Sequence, residues 1–273
     1  MYELGVSLLL LLLLVGCFWG GQTVQRVLRE HHRSQESIDT LRVLITLLVT
    51  FAALVLSMLI SNSQTRVASL EAGLRTLSID VTEVDRQLRE YGPEGDPMRG
   101  DLILYAKEMI ADTWQNEAPP PGNYPRQLTH VATGSVESIQ LSLLLNRIEM
   151  GVHRLTPQDD FHRSVATTLA ADMVALSQQR WTLIENAQPS LSWPFLAILM
   201  FWLAVIFVIA GLSSPRNVVV VVITMLAAVS LASSIFLAME LDQPMAGLIK
   251  VSSTPMRDAL RHLEEPTLPP AVP

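Results

Sequence analysis

Cysteine occurs once in the 273 residues, at Cys17, so no intramolecular disulfide can form. No Cys/His cluster has zinc spacing either. Charge is scarce, at 16% of residues against 49% apolar, and the scarcity is local. No acid or base occurs in residues 4–25, 43–65, 186–215 or 217–239. A nucleophile elbow, a P-loop, an H-E-x-x-H pair and a Gly-rich dinucleotide turn are all missing, so the sequence offers no catalytic residue and no cofactor site. The net charge of −7 sits in the middle of the chain and argues against a nucleic-acid partner, which needs a basic patch.

The charge-free stretches are the informative feature. Crossing the hydrocarbon of a bilayer takes about 20 mostly apolar residues, and such a segment must be a helix that satisfies its own backbone groups. Four helices are expected, at about 4–21, 43–62, 193–212 and 217–239. Trp193, Pro194 and Trp202 suit an interfacial start to the third. The first carries a seven-leucine run and the lipobox-like Leu14-Val15-Gly16-Cys17, which a cleaved lipoprotein signal would also have. Its start, Met1-Tyr2-Glu3-Leu4, lacks the positive n-region of a signal, so a retained helix with Cys17 as a small apolar member is expected.

Between the pairs the pattern is helical and water-exposed. Val67, Leu70, Leu74, Leu77, Val81, Val84, Leu88 and Tyr91 alternate spacings of three and four, a heptad seam that continues the second membrane helix until Gly92-Pro93. A helix is expected at about 101–117, and the segment from Pro119 to Pro125 breaks the chain. A third runs over about 135–155 with Leu141, Leu145, Ile148, Val152 and Leu155 in register. For a fourth, Thr156 serves as N-cap, Pro157 as first-turn proline and Asp159 as a dipole-matched acid. Its seam is Leu169, Met173, Leu176, Arg180 and Leu183. A short helical piece at about 256–263 precedes a Pro-rich end expected to be disordered.

The fold class is therefore all-α integral membrane: four transmembrane helices in two pairs, with a central helical, partly coiled-coil-like soluble domain. The expected division is a first membrane pair over 1–62, the soluble domain over 63–191, a second pair over 192–241 and a tail over 242–273.

Two groups of residues are candidates for function. Thr46, Thr50, Ala53 and Ser57 share one face of the second helix, a small, weakly polar stripe that suits either close helix packing or the wall of a pore. Ser230, Ser234 and Ala238 repeat the pattern on the fourth helix, which favours packing. Glu240, Asp242, Pro244 and Gly247 form an acidic turn at the membrane edge. Acids there are by default interfacial and hydrated; otherwise they belong to an ion path or pair with a base. Glu149 and His153, with Asp159, Asp160 and His162 beyond, lack the duplicated Glu-x-x-His of a di-iron bundle and read as surface charge, as do His31 and His32.

Four segments together resemble the bacterial bestrophin-like domain family: RWTLIE from Arg180, GLSSPRN from Gly211, ELDQPMAG from Glu240 and VSSTPMRDAL from Val251. The L-D-x-P-x-x-G piece from Leu241 is the most specific, and the resemblance extends through Ser69–Ala72 and the Tyr105 to Trp114 helix. It implies kinship with bestrophins, pentameric anion channels with two helix pairs and a cytosolic helical body. It thus implies a homo-oligomer in the lipid bilayer of the bacterial inner membrane, with anions as cargo. The aromatic neck that bestrophins place in the second helix has no counterpart here, where residues 43–60 contain only Phe51. Flanking charge does not orient the chain: Arg26, Arg29, Arg33, Arg42 and Arg216 stand against Arg66, Arg75, Arg180, Lys250, Arg257 and Arg261. The resemblance places the middle domain and both termini in the cytoplasm. A bestrophin-like ion channel is the first functional reading. The alternative is a non-conducting membrane scaffold or sensor that binds a protein partner through its helical domain.

Overall fold

The computed structural model describes residues 2–27, 35–122, 139–188, 193–215, 217–242 and 250–265, and among them every regular element is helical. In order these are α1 (Tyr2–Val27), α2 (Gln35–Tyr91), a 3-10 turn (Pro93–Gly95), α3 (Asp96–Thr113), α4 (Ile139–His153), α5 (Asp160–Ala187), α6 (Trp193–Ser213), α7 (Val218–Leu241) and α8 (Thr254–Glu264). Among the described residues, four helices are long and apolar enough to cross a membrane: α1, α2, α6 and α7. The chain divides into two compact units. One comprises residues 1–65 and 189–242, the other residues 66–188 and 243–273.

In the membrane unit, α1 packs against α6 and α7. Leu10, Leu14 and Phe18, four residues apart, put one face of α1 into a core with Leu196, Leu199, Leu203, Ile206 and Phe207 of α6 and Ala228, Ile235 and Met239 of α7. Lipid tails offer no hydrophobic drive between helices, so close backbone approach decides which faces meet. Gly21 and Gly211 supply it reciprocally. A Cβ on Gly21 would collide with the Val208 carbonyl oxygen, and one on Gly211 with that of Phe18. At the start of α7, Asn217 is the N-cap and its Oδ1 accepts from the Val219 amide at 3.1 Å.

The soluble unit is built on the expected seam. Leu70, Leu74, Leu77, Val81, Val84, Leu88 and Tyr91 are buried, and Val67 packs half-buried beside them. α2 is thus one 57-residue helix that serves both units. It stops at Gly92, whose φ of 97° disfavours any side chain. Gly95 in the following turn lies against the Leu88 carbonyl, where a Cβ would not fit. α3 packs on α4 and α8, and α4 on α5. Buried Met256, Leu260 and Leu263 hold α8 to this core, each contributing on the order of 2 kcal/mol. Arg89 then caps it, donating to the Glu265, His262 and Leu263 carbonyls at 3.0 Å each. Asp85 holds Arg89 at 2.6 Å and Arg99 at 2.9 Å. Buried Trp114 donates from Nε1 to the Val251 carbonyl at 2.7 Å, tying the end of α3 to the segment before α8.

Some boundaries differ from expectation. The second soluble helix begins at Asp96 rather than 101, with Pro97 in its first turn, and ends at Thr113. The N-cap of α5 is Asp159, not Thr156: its carboxylate accepts from the His162 amide at 2.7 Å, leaving Thr156 and Pro157 ahead of the helix. An ionised side chain at that point satisfies an orphan amide and complements the helix dipole together, which a threonine three residues earlier cannot do. Pro120 of the Pro/Gly break is buried, although its neighbours are exposed. Residues 135–138, His31, His32 and the Pro-rich end lie outside the described residues.

Candidate functional site

Within the membrane unit, α2 presents two faces of different character. Ile45, Leu48, Ala52, Val55 and Leu59 turn toward the core, and Ala52 is 5% exposed. One position further round lie Thr46, Thr50, Ala53 and Ser57, all exposed. Among the described residues the sequence-derived stripe therefore takes no part in the packing of the core. Two of its hydroxyls are already engaged: Thr46 Oγ1 donates to the Arg42 carbonyl at 2.9 Å and Thr50 Oγ1 to the Thr46 carbonyl at 2.8 Å. Such back-bonding lets a hydroxyl sit in a membrane helix while its oxygen remains able to accept from water or a neighbour. Beside the stripe, Leu47, Leu54 and Met58 are exposed as well. Phe51, the lone aromatic residue here, stands 6.3 Å from the Trp202 ring of α6 at 53° and is half exposed.

Just beyond the stripe, Ser63 is buried and donates to the Ala238 carbonyl of α7 at 3.4 Å. On α7 itself, Ala238 is buried, whereas Ser230 is exposed and Ser234, half-buried, bonds back to the Ser230 carbonyl at 2.9 Å. The similar stripes of α2 and α7 therefore have different surroundings, and only the α7 end is in the core.

Glu240 and Asp242 close α7, and neither is in the hydrated position that is the default for acids at a membrane edge. Glu240 is 4% and Asp242 8% exposed. Both have interaction partners within the chain. The Asp242 amide donates to the Met239 carbonyl at 3.3 Å as the last turn closes. Pro244 and Gly247, the rest of this turn, lie outside the described residues, as does Arg216. Glu149, His153, Asp159, Asp160 and His162 build no three-ligand metal group among the described residues. Asp159 instead caps α5, its carboxyl held below the usual range by the His162 amide and ring.

The sequence reading missed a polar group in the soluble core. Tyr105 and Glu108 of α3 are 0% and 1% exposed, and neither the Tyr105 hydroxyl nor either Glu108 oxygen has a hydrogen-bond partner among the described residues. Burial pushes Glu108 up to about 7, helped by Asp112, and Tyr105 up to about 12, partly offset by the Arg180 guanidinium. Glu108 stands one residue before Met109 and two before Ile110, off the apolar face that the helical spacing marks, so the pattern alone assigns it to water.

The helices have counterparts among solved structures. A bacterial bestrophin homologue from Klebsiella pneumoniae, carrying a tryptophan-to-alanine mutation, is similar over 96% of this chain and 97% of its own, at TM-score 0.66 and 14% identity. A variant of that homologue with an isoleucine changed to threonine gives 0.64 and 15%, covering 97% and 100% of the two chains. A structure of the homologue solved by Zn-SAD phasing gives 0.64 and 13%, covering 94% and 96%. No curated protein matches the chain. At these identities the likeness is one of fold, but the Bestrophin-like domain profile matches residues 12–256, most of the sequence. The chain belongs to the Bestrophin-like family of helical membrane proteins.

Proposed function

We propose that this protein is a homo-oligomeric, passive anion channel of the bacterial inner membrane, with α2 lining the conducting axis. The observation that carries this reading is the placement of Thr46, Thr50, Ala53 and Ser57, which face away from the core of their own chain. An ion crossing hydrocarbon must replace its hydration with water or protein dipoles, and an apolar lipid-facing helix gains nothing from a row of hydroxyls. Copies arranged about an axis would place that row on water, with neighbouring aliphatic side chains narrowing the path into a gate that opens by wetting. The soluble unit faces the cytoplasm, in keeping with the layout the family resemblance implies. A periplasm-dependent reporter enzyme fused after Gly122 is then inactive, and activity would reverse the topology.

The direct test of the lining is accessibility. Cysteines placed singly at Thr46, Thr50 and Ser57 in a Cys17→Ser background are expected to react with a small, charged, membrane-impermeant thiol reagent. Cysteines at Leu48 and Val55, which pack on the membrane core, are not. Protection of all three stripe positions would contradict the proposal.

The alternative, a scaffold or sensor that binds a protein through the soluble unit, is favoured by Val174 and Trp181 on α5, apolar and exposed at 47% and 58%. If those residues serve a partner rather than another copy, Trp181→Ala abolishes partner capture and leaves the subunit number unchanged.

A further inference from the structure

Glu108 lies where a carboxylate is least expected. It stands on α3, the helix whose Leu102, Met109 and Ile110 belong to the core of the soluble unit, is 1% exposed, and neither oxygen finds a hydrogen bond among the described residues. A carboxylate taken out of water with no donor in reach is held there only in its neutral form. Charges on the elements packed around α3 do not relieve it. From α2, Asp85 is occupied by Arg89 and Arg99; from α4, Arg147 pairs with Asp101. From α5, Arg180 acts on Tyr105, and Asp172 takes the Gln87 amide. From α8, Glu264 pairs with Lys107, and Arg257 with Glu117 beyond the end of α3. Among the described residues the charge acting on Glu108 is Asp112, a turn further along, and it opposes ionisation.

We propose that Glu108 is a proton-operated switch in the soluble unit: protonated, it stays sealed in the core, and on ionisation it loosens α3 from α4 and α8. This does not depend on whether the protein conducts ions. The sign follows from the raised carboxyl, about 7 in the folded chain against 4.5 when free. Below about 4.5 both states carry the proton and the group is neutral toward folding. Between there and about 7 the unfolded chain releases a proton that the folded chain keeps, so stability falls as pH rises, and it levels off above. The full span allows at most about a 300-fold shift in the equilibrium. α8 would feel the change directly, because it packs on α3 and is tied to it by Lys107–Glu264 at 2.6 Å.

The test uses the full-length protein in detergent or nanodiscs. Wild-type and Glu108→Gln proteins are melted from pH 5 to pH 8, and amide exchange over residues 102–113 is followed with intrinsic rates divided out. The expected result is a gap in melting temperature that widens with pH in favour of Glu108→Gln, with α3 opening up to about tenfold more in wild type at pH 8 than at pH 6 and no such change in the variant. Parallel behaviour of the two proteins would overturn the proposal. Should the variant not fold, infrared spectra of an Asp80→Asn protein decide, because Asp80 is the other carboxyl among the described residues that burial raises, next to Asp172. A protonated carboxyl band present at pH 6 and lost by pH 8 supports the switch, and its absence at pH 6 refutes it.

Discussion

Replacing Gly211 with alanine tests the membrane unit at its tightest point. The added Cβ would lie 3.1 Å from both the Gly21 Cα and the Gln22 nitrogen and would overlap the Phe18 carbonyl oxygen. Packed carbon atoms prefer roughly 3.5–4.0 Å and the overlap with the Phe18 oxygen is the larger demand, so α1 and α6 must part by about 1 Å at the crossing, forfeiting up to about half of each contact well along it. Overpacking of this kind costs about 1–3 kcal/mol, and for a chain of this size each kilocalorie lowers Tm by about 2–4 °C. Gly21→Ala acts on the same gap, so the double variant is less destabilised than the sum of the two. Gly20, one residue away, has open space where its Cβ would be, and Gly20→Ala is the control. Thermal unfolding of purified protein is the assay. If Gly211→Ala and Gly20→Ala melt together with wild type, the reciprocal glycine crossing does not exist.

Leu74→Asp and Leu77→Asp place a charge in positions 1% and 0% exposed. Each should remove several kcal/mol and lower Tm by many degrees, and unchanged melting would mean that the seam is not buried. Tyr105→Phe deletes a buried hydroxyl that has no partner among the described residues and should leave Tm unchanged or raise it; a fall of several degrees would reveal a bond to internal water. Asp159→Ala should speed exchange of the first amides of α5. In wild type that cap is present above the ordinary Asp value of 3.8 and lost only as pH falls below it, because the folded carboxyl is lowered. A flat exchange profile through acid pH would contradict the assignment.

The membrane helices were legible because hydrocarbon tolerates few sequences: stretches such as 217–239, with no charge, leave little choice. The soluble core was legible wherever threes and fours alternate, as from Leu70 to Leu88 and from Leu169 to Leu183, since that spacing keeps a stripe on one side of a helix. What remained hidden depends on the partner surface. Gly16 and Gly20 have the spacing usually read as a helix contact, yet both face open space and Gly21 makes the crossing. Glu108 hid because a charge within an amphipathic pattern is assigned to water until the third dimension closes over it. Glu240 and Asp242 were read as hydrated by default for the same reason, and both are buried. The stripe of α2 was visible in the sequence, whereas its exposure within the chain, which separates it from the α7 stripe, was not.

Anion flux through liposomes containing the purified protein tests the central claim most directly. Flux well above that of empty liposomes, abolished by Thr50→Trp in a protein that still assembles, is the predicted result. Reconstituted, correctly assembled protein that passes no anion at any pH from 5 to 8 would contradict it.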